Sequence, residues 1–223
     1  VPATRTAIII AGGDPLNTAA IANLPSDAFI IAADSGLDHA IAAHLRPDVV
    51  VGDLDSVSDD GLRWARANGV PIEQHSPDKD ATDTELALAR ALAIAAEHVL
   101  LLGGGGDRLD HSIGALTALG DASLAVCTSV SARWGTATVH VLHGPRTIAL
   151  QVRPGDTFSL LALHGPCDGV SVSGAQWQLN DATLRPASSL GVSNLTVAAD
   201  LRIEVRTGVL TVIFPNHFEG STP

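Results

Sequence analysis

The chain is nearly without lysine. Of its 13 basic residues 12 are arginine, and the single lysine, Lys79, stands among Asp78, Asp80 and Asp83 in "SPDKDATDTELAL" (76–88). Basic residues are scarce altogether, since 24 acidic side chains leave a formal net charge of −11 and a pI near 5.0. That balance excludes a general nucleic-acid binder, which needs a basic face against the phosphates. An acidic protein that handles phosphates must recruit its cations at the site itself. Long apolar runs are missing too. The longest, roughly Leu86 to Leu102, is broken by Arg90, Glu97 and His98, so no bilayer helix is expected and no membrane partner. "VPATRTAIIIAGG" has too short an apolar run for a secretory signal and reads as a first strand. Cysteines number two, Cys127 and Cys167, in apolar or mixed surroundings. This points to reduced thiols in a cytoplasmic protein.

What remains is ample for a core: 223 residues, 46 % of them apolar. From residue 7 to about 130, short β-branched runs alternate with Ala/Leu-rich stretches. The runs are "AIIIAGG", "AFIIAAD", "DVVVGDLD", "IEQH", "HVLLLGG" and "SLAVCTS", and helices are expected over 16–23, 36–45, 59–68, 83–97 and 109–119. Continuous apolar strands between helices predict an α/β domain with a parallel sheet covered on both faces. Thr82 with Glu85 has the spacing of a capping box, which starts a helix at 83. After about residue 136 the helical period disappears. "ATVHVLHG", "RTIALQVRPG", "DTFSLLALHG", "DGVSVSG", "SNLTVAA", "LRIEVRTG" and "GVLTVIF" predict an antiparallel β-sandwich. The expected domains are residues 1–135 and 136–223.

In parallel α/β sheets, ligands bind beyond the carboxyl ends of the strands. Asp34 follows the second expected strand, Asp53 and Asp55 the third, Asp78, Asp80 and Asp83 the fourth, and Arg108 with Asp110 the fifth. Taken singly, each motif fits solvated aspartates that cap helices; four successive strand ends delivering acid to one edge is a stronger pattern. In "GDLDS" (52–56) an extended chain would put Asp53 and Asp55 on one side. Two such charges about 5 Å apart repel by roughly 3 kcal/mol at an effective dielectric near 20. A cation would relieve them, and Mg²⁺ suits a few carboxylates at an open strand edge where it keeps waters and substrate phosphates. The glycines at 103–106 lack the G-x-x-x-x-G-K-[ST] form. Arg108 after them is a permanent cation just before a helix N-terminus, and Lys79 would be a second phosphate cation. His140 and His143, three apart in an expected strand, face opposite sides and share no metal. No Cys/His zinc spacing and no serine-hydrolase elbow occurs.

Together these residues resemble the thiamine pyrophosphokinase family. The resemblance runs through "AADSG" (32–36), "PDVVVGDLDS" (47–56), "DKDATDTELAL" (78–88), "GGGGDRLDHSIG" (103–114), "SGAQWQLNDATL" (173–184) and "SN" (193–194). It implies an enzyme that moves the diphosphoryl group of ATP to the hydroxyl of thiamine, releasing AMP, and a homodimer with each thiamine between subunits. It also implies that Asp53, Asp55 and Asp83 surround Mg²⁺, with Asp83 or Asp110 accepting the hydroxyl proton. Asp34, Ser56, Lys79, Asp80, Thr82 and Arg108 would line the nucleotide phosphates. Trp177, by residue type alone a core or interface aromatic, would stack on thiamine beside Ser193 and Asn194. The chain departs from the family pattern at Asp107, at Ala115 and in "ADSGLD" (33–38). Two further readings use the same residues: a pyrophosphokinase or kinase of this fold acting on another small alcohol, and a non-catalytic nucleotide- or thiamine diphosphate-binding regulator.

Overall fold

The structure is a computed structural model that describes residues 5–106 and 108–216. Two compact units emerge. One runs to Ala118 and takes in Ala132–Gly135; the other comprises Leu119–Ser131 and the described residues from Thr136 onward.

The first unit is a parallel sheet. Strands β1 (Thr6–Ile10), β2 (Phe29–Ala33), β3 (Val49–Gly52), β4 (Ile72–Gln74) and β5 (His98–Gly103) lie in the order β5-β1-β2-β3-β4, and the part of β6 (Ser129–Trp134) that belongs to this unit, from Ala132 on, follows β5. Ala7 to Ile10 are all buried, which requires cover on both faces and explains the continuous apolar runs. Helix α1 (Gly36–Ala42) packs on β1 and β2, with Ala40 against Ile8 and Ile10. Helix α2 (Asp59–Ala67) closes a second cluster of Ala32, Leu37, Val50 and Ala65. Helix α3 (Asp83–Ala93) lies on β1, β2 and β3 and also touches α4 (Leu109–Ala118). Among the described residues no helix is long and apolar enough to cross a membrane.

Three expectations need correction. Residues 16–23 form no helix, with turns over 18–23: Asn17 Oδ1 accepts from Ala19 N (2.8 Å), and Asn23 takes φ 55. This Asx turn satisfies the main chain locally and displaces the helix. "SLAVCTS" is largely a 3-10 turn, Ala122–Val126, entered through Asp121, whose carboxylate accepts from Ser123 N (2.9 Å). Helix α3 stops at Ala93 and not at 97. Ala95 sits at φ 55 while Ala95 N and Ala96 N bond Leu92 O and Ala91 O, the paired closing bonds of a Schellman motif.

The second unit is an antiparallel sandwich. One sheet has the order β12 (Asn194–Leu195), β9 (Thr157–Leu161), β14 (Val209–Phe214), β7 (Ala137–His143). The other is β11 (Leu179–Leu184), β10 (Cys167–Ser173), β13 (Asp200–Val205), β8 (Arg146–Gln151). Inward residues of both sheets meet in one core that includes Leu142, Phe158, Val170, Ile203 and Phe214. Strand β11 was not anticipated, because "LNDATL" carries too few β-branched residues to be read as a strand.

Candidate functional site

Because β1 to β5 run parallel, their carboxyl ends share one edge of the sheet. Asp34 leaves β2 at φ 48, pinned by Asp34 N to Val51 O (2.9 Å). Gly52 ends β3 at φ 151, and a Cβ there would come 3.1 Å from Asp83 Oδ1 and 3.2 Å from Asp34 Cβ. The absent side chain is what lets Asp34 and Asp83 converge over the end of β3. Asp83 opens α3, whose N-terminus is fixed by the expected capping box. Thr82 N donates to Glu85 Oε2 (2.7 Å) and Glu85 N to Thr82 Oγ1 (3.2 Å).

The result is a group of three carboxylates, Asp34, Asp53 and Asp83, each offering an oxygen within 4.8 Å of the other two. Lys79 enters it from the β4–α3 loop. Its Nζ donates to Asp53 Oδ2 at 2.6 Å and lies 3.1 Å from Asp83 Oδ1. The lone lysine is therefore paired with Asp53 from the end of β3 and with Asp83 four residues on at the start of α3, while its closer sequence neighbours Asp78 and Asp80 are exposed. That hydrogen bond is the main reason why the Asp53 carboxyl is held below its ordinary range and the Lys79 ammonium above. Asp34 differs. Its residue is 8 % exposed and Oδ1 has no hydrogen-bond partner. Burial pushes its pKa up, countered by the Ser35 N–H and reinforced by the charges of Asp83, Asp55 and Asp53.

Asp55 stands outside this group, where alternation along an extended chain had put it beside Asp53. Strand β3 already ends at Gly52 and Leu54 takes φ 70, so the period of two does not carry through. Asp55 is exposed, donates its N–H to Asp53 Oδ1 (3.3 Å) and accepts from Ser56 Oγ (2.9 Å). The third carboxylate near Asp53 and Asp83 is that of Asp34.

Arg108 lies before α4 with its Nε and Nη2 on Asp110 Oδ1 (3.0 Å) and Oδ2 (2.8 Å), and Nη2 meets His111 Nε2 at 2.7 Å. This fork holds the Asp110 carboxyl well below the usual carboxylate range. Sequence reasoning passed over the end of β1. There Asp14 N bonds Gly105 O (3.3 Å) and His39 Nε2 meets Gly13 O (2.9 Å), so "AGGD" braces the glycine run. The two adjacent glycines were its signal. Trp134 lies against Gly103, where any Cβ would strike the indole, and its Nε1 reaches Ser112 Oγ (3.3 Å). Of the family departures, Asp38 has a structural task, accepting from Ser58 N (2.9 Å) and Ser58 Oγ (2.6 Å) at the start of α2. Ala115 is buried in α4, and Asp107 lies outside the described residues.

In the second unit Trp177 is 55 % exposed, close in the chain fold to Asn194. Asn194 is buried and clamps the tryptophan main chain: Trp177 N donates to Oδ1 (3.1 Å) and Nδ2 donates to Trp177 O (2.7 Å). Its Oδ1 also takes Leu195 N (2.9 Å). Ser193 is exposed at φ 58, its N–H on Ser159 Oγ (3.1 Å). Leu190, Val192 and Val197 are exposed as well.

Comparison with known proteins matches residues 22–128 to the family model "Thiamin pyrophosphokinase, catalytic domain" and residues 140–210 to "Thiamin pyrophosphokinase, vitamin B1 binding domain". Thiamine pyrophosphokinase 1 of Arabidopsis thaliana is 25 % identical over 188 residues, 78 % of this chain and 67 % of that protein. Thiamine pyrophosphokinase 1 of Oryza sativa subsp. japonica is 23 % identical, over 71 % of this chain and 62 % of its own length. The chain thus spans about two thirds of these relatives. Among solved structures, thiamine pyrophosphokinase from Bacillus subtilis superposes with a TM-score of 0.79 at 21 % identity, covering 94 % of this chain and 98 % of that one. Yeast thiamin pyrophosphokinase gives 0.74 at 13 % identity, covering 99 % and 90 %; both show a shared fold. With both family models aligned in order along the sequence, the chain belongs to the thiamine pyrophosphokinase family.

Proposed function

We propose that the chain transfers the diphosphoryl group of ATP to the hydroxyl of thiamine, giving thiamine diphosphate and AMP. Family membership supports an enzyme that makes thiamine diphosphate. The observation that carries the finer reading is the convergence of Asp34, Asp53 and Asp83 beside Lys79 at the strand ends. The buried, unpartnered Asp34 Oδ1 fits a hard divalent cation such as Mg²⁺, because a desolvated carboxylate oxygen otherwise has nothing to offset its burial. Asp34, Asp53 and Asp83 would hold that ion, with Asp55 reaching it through water. When bound, the ion neutralises charge on the phosphate oxygens.

The remaining work is positioning and electrostatics, as expected for a loose phosphoryl-transfer transition state. Arg108 and Lys79 supply cations for the phosphates, Asp80 and Thr82 are exposed on the loop that carries Lys79, and Ser56 is exposed on the loop after β3. Asp83 is the proton acceptor in this reading, because both oxygens of Asp110 are engaged by Arg108. Asp110 then orients Arg108. In the second unit Trp177 stacks on the thiamine rings, the Ser193 hydroxyl meets the aminopyrimidine, and Asn194 acts through the Trp177 main chain. The exposed apolar set of Trp177, Leu190, Val192 and Val197 supports a homodimer that completes the thiamine site. Cys127 and Cys167 are buried and form no disulfide, in keeping with a cytoplasmic, reducing setting.

Purified chain incubated with thiamine and ATP should form thiamine diphosphate with Mg²⁺ and none with excess chelator. A folded chain that binds ATP and leaves thiamine untouched would transfer the reading to another acceptor.

A further inference from the structure

Lys79 is held in an ordered loop. Asp78 N bonds Ser76 Oγ (3.1 Å), Lys79 N bonds Pro77 O (3.0 Å), and the capping box fixes the chain three residues later. The ammonium is thereby placed between Asp53 and Asp83, two of the three grouped carboxylates, with the side chain only 16 % exposed. Asp34 Oδ1 and Asp83 Oδ1 are both buried without a hydrogen-bond partner, and only the latter has the Lys79 ammonium within ion-pair distance. One positive charge therefore serves a cluster of three negative ones. A divalent ion held by the same three oxygens would neutralise more of that charge and would repel the ammonium.

The residue type matters here. Twelve of thirteen basic positions carry arginine, whose planar fork grips a carboxylate at two points; this one carries the compact, freely rotating ammonium. We propose that Lys79 is a tethered counter-cation. It occupies the carboxylate cluster in the absence of metal, is displaced from Asp53 and Asp83 when a divalent cation binds, and is then free to meet an incoming phosphate oxygen. The proposal rests on the metal reading above and adds an exchange of cations to it.

The single lysine makes the exchange directly observable. Tag-free protein labelled with ¹³C and ¹⁵N in lysine gives one side-chain signal, which can be followed while Mg²⁺ alone is added. The expected result is a shift of that signal towards the position of unpaired lysine, in step with a metal-induced rise in the melting midpoint. Lys79→Gln should bind Mg²⁺ about tenfold more tightly, the order expected for one partly screened charge at this range, and Lys79→Arg more weakly than the parent, because the guanidinium fork grips a carboxylate at two points. A midpoint that rises with Mg²⁺ while the lysine signal stays fixed overturns the exchange and leaves the metal site standing. A folded Lys79→Gln protein that binds Mg²⁺ no more tightly than the parent also overturns it. If neither midpoint nor signal responds, the metal reading falls and the exchange with it.

Discussion

Gly52 and Asp83 meet where no side chain fits between them: a Cβ on Gly52 would stand 3.1 Å from Asp83 Oδ1. The same glycine holds φ 151, a conformation costly for any other residue. Gly52→Ala should spread Asp34 from Asp83 and lower stability by about 1 kcal/mol. A loss of thiamine diphosphate formation on the order of 100-fold, with a raised Mg²⁺ requirement, is expected. Turnover measured against Mg²⁺ concentration checks this, and an unaltered metal requirement would count against it.

Asp34 is a carboxylate that the metal-free fold tolerates at a cost. Its folded-state pKa lies above the ordinary 3.8, chiefly through burial. The cost is absent below 3.8, accrues as pH rises through the folded value, and is complete above it. Asp34→Asn should therefore melt higher than the parent at neutral pH in chelator, with the difference shrinking towards acid. Mg²⁺ should reverse the order by stabilising only the parent, and turnover of the variant should fall about 100-fold. Melting curves across pH, with and without Mg²⁺, decide it.

Arg108 is held by both oxygens of Asp110. Asp110→Asn should loosen the guanidinium and raise the KM for ATP about tenfold. The acidic limb of the pH–rate profile should keep its position, because a carboxyl already held well below the usual range is not the titrating base. Movement of that limb would return Asp110 to the role of proton acceptor.

Trp177 and Asn194 should separate binding from stability. Trp177 is 55 % exposed, so Trp177→Ala should leave the melting midpoint nearly unchanged while raising the KM for thiamine about 30-fold, for a lost stack of about 2 kcal/mol. Asn194 is 3 % exposed with three hydrogen bonds to main chain. Asn194→Ala should lower stability by about 2 kcal/mol and raise the same KM through a misplaced Trp177. Equal effects of both variants on the melting midpoint would contradict this division.

The sequence pattern carried the parallel sheet, the sandwich and the edge on which the acids gather, because apolar periodicity and strand-end position are local signals. Helix ends were legible only where chemistry marked them. Asn68 and Gly69 close α2 with glycine at φ 63, whereas α1 and α3 close in the same way on His44 and Ala95, which carry no such mark. At the site, spacing in "GDLDS" pairs Asp53 with Asp55, a left-handed Leu54 hidden in an ordinary sequence ends that alternation, and the carboxylates that converge are Asp34, Asp53 and Asp83. Asn194 and Trp177 were adjacent only in the fold, so their clamp had no sequence signal.

The most direct test follows the phosphorus atoms. ATP labelled separately at the α and β phosphates would be turned over with thiamine and Mg²⁺, and the products separated. The account predicts β label in thiamine diphosphate and α label in AMP, in equal amounts. Both labels in ADP, with thiamine monophosphate as the other product, would contradict it.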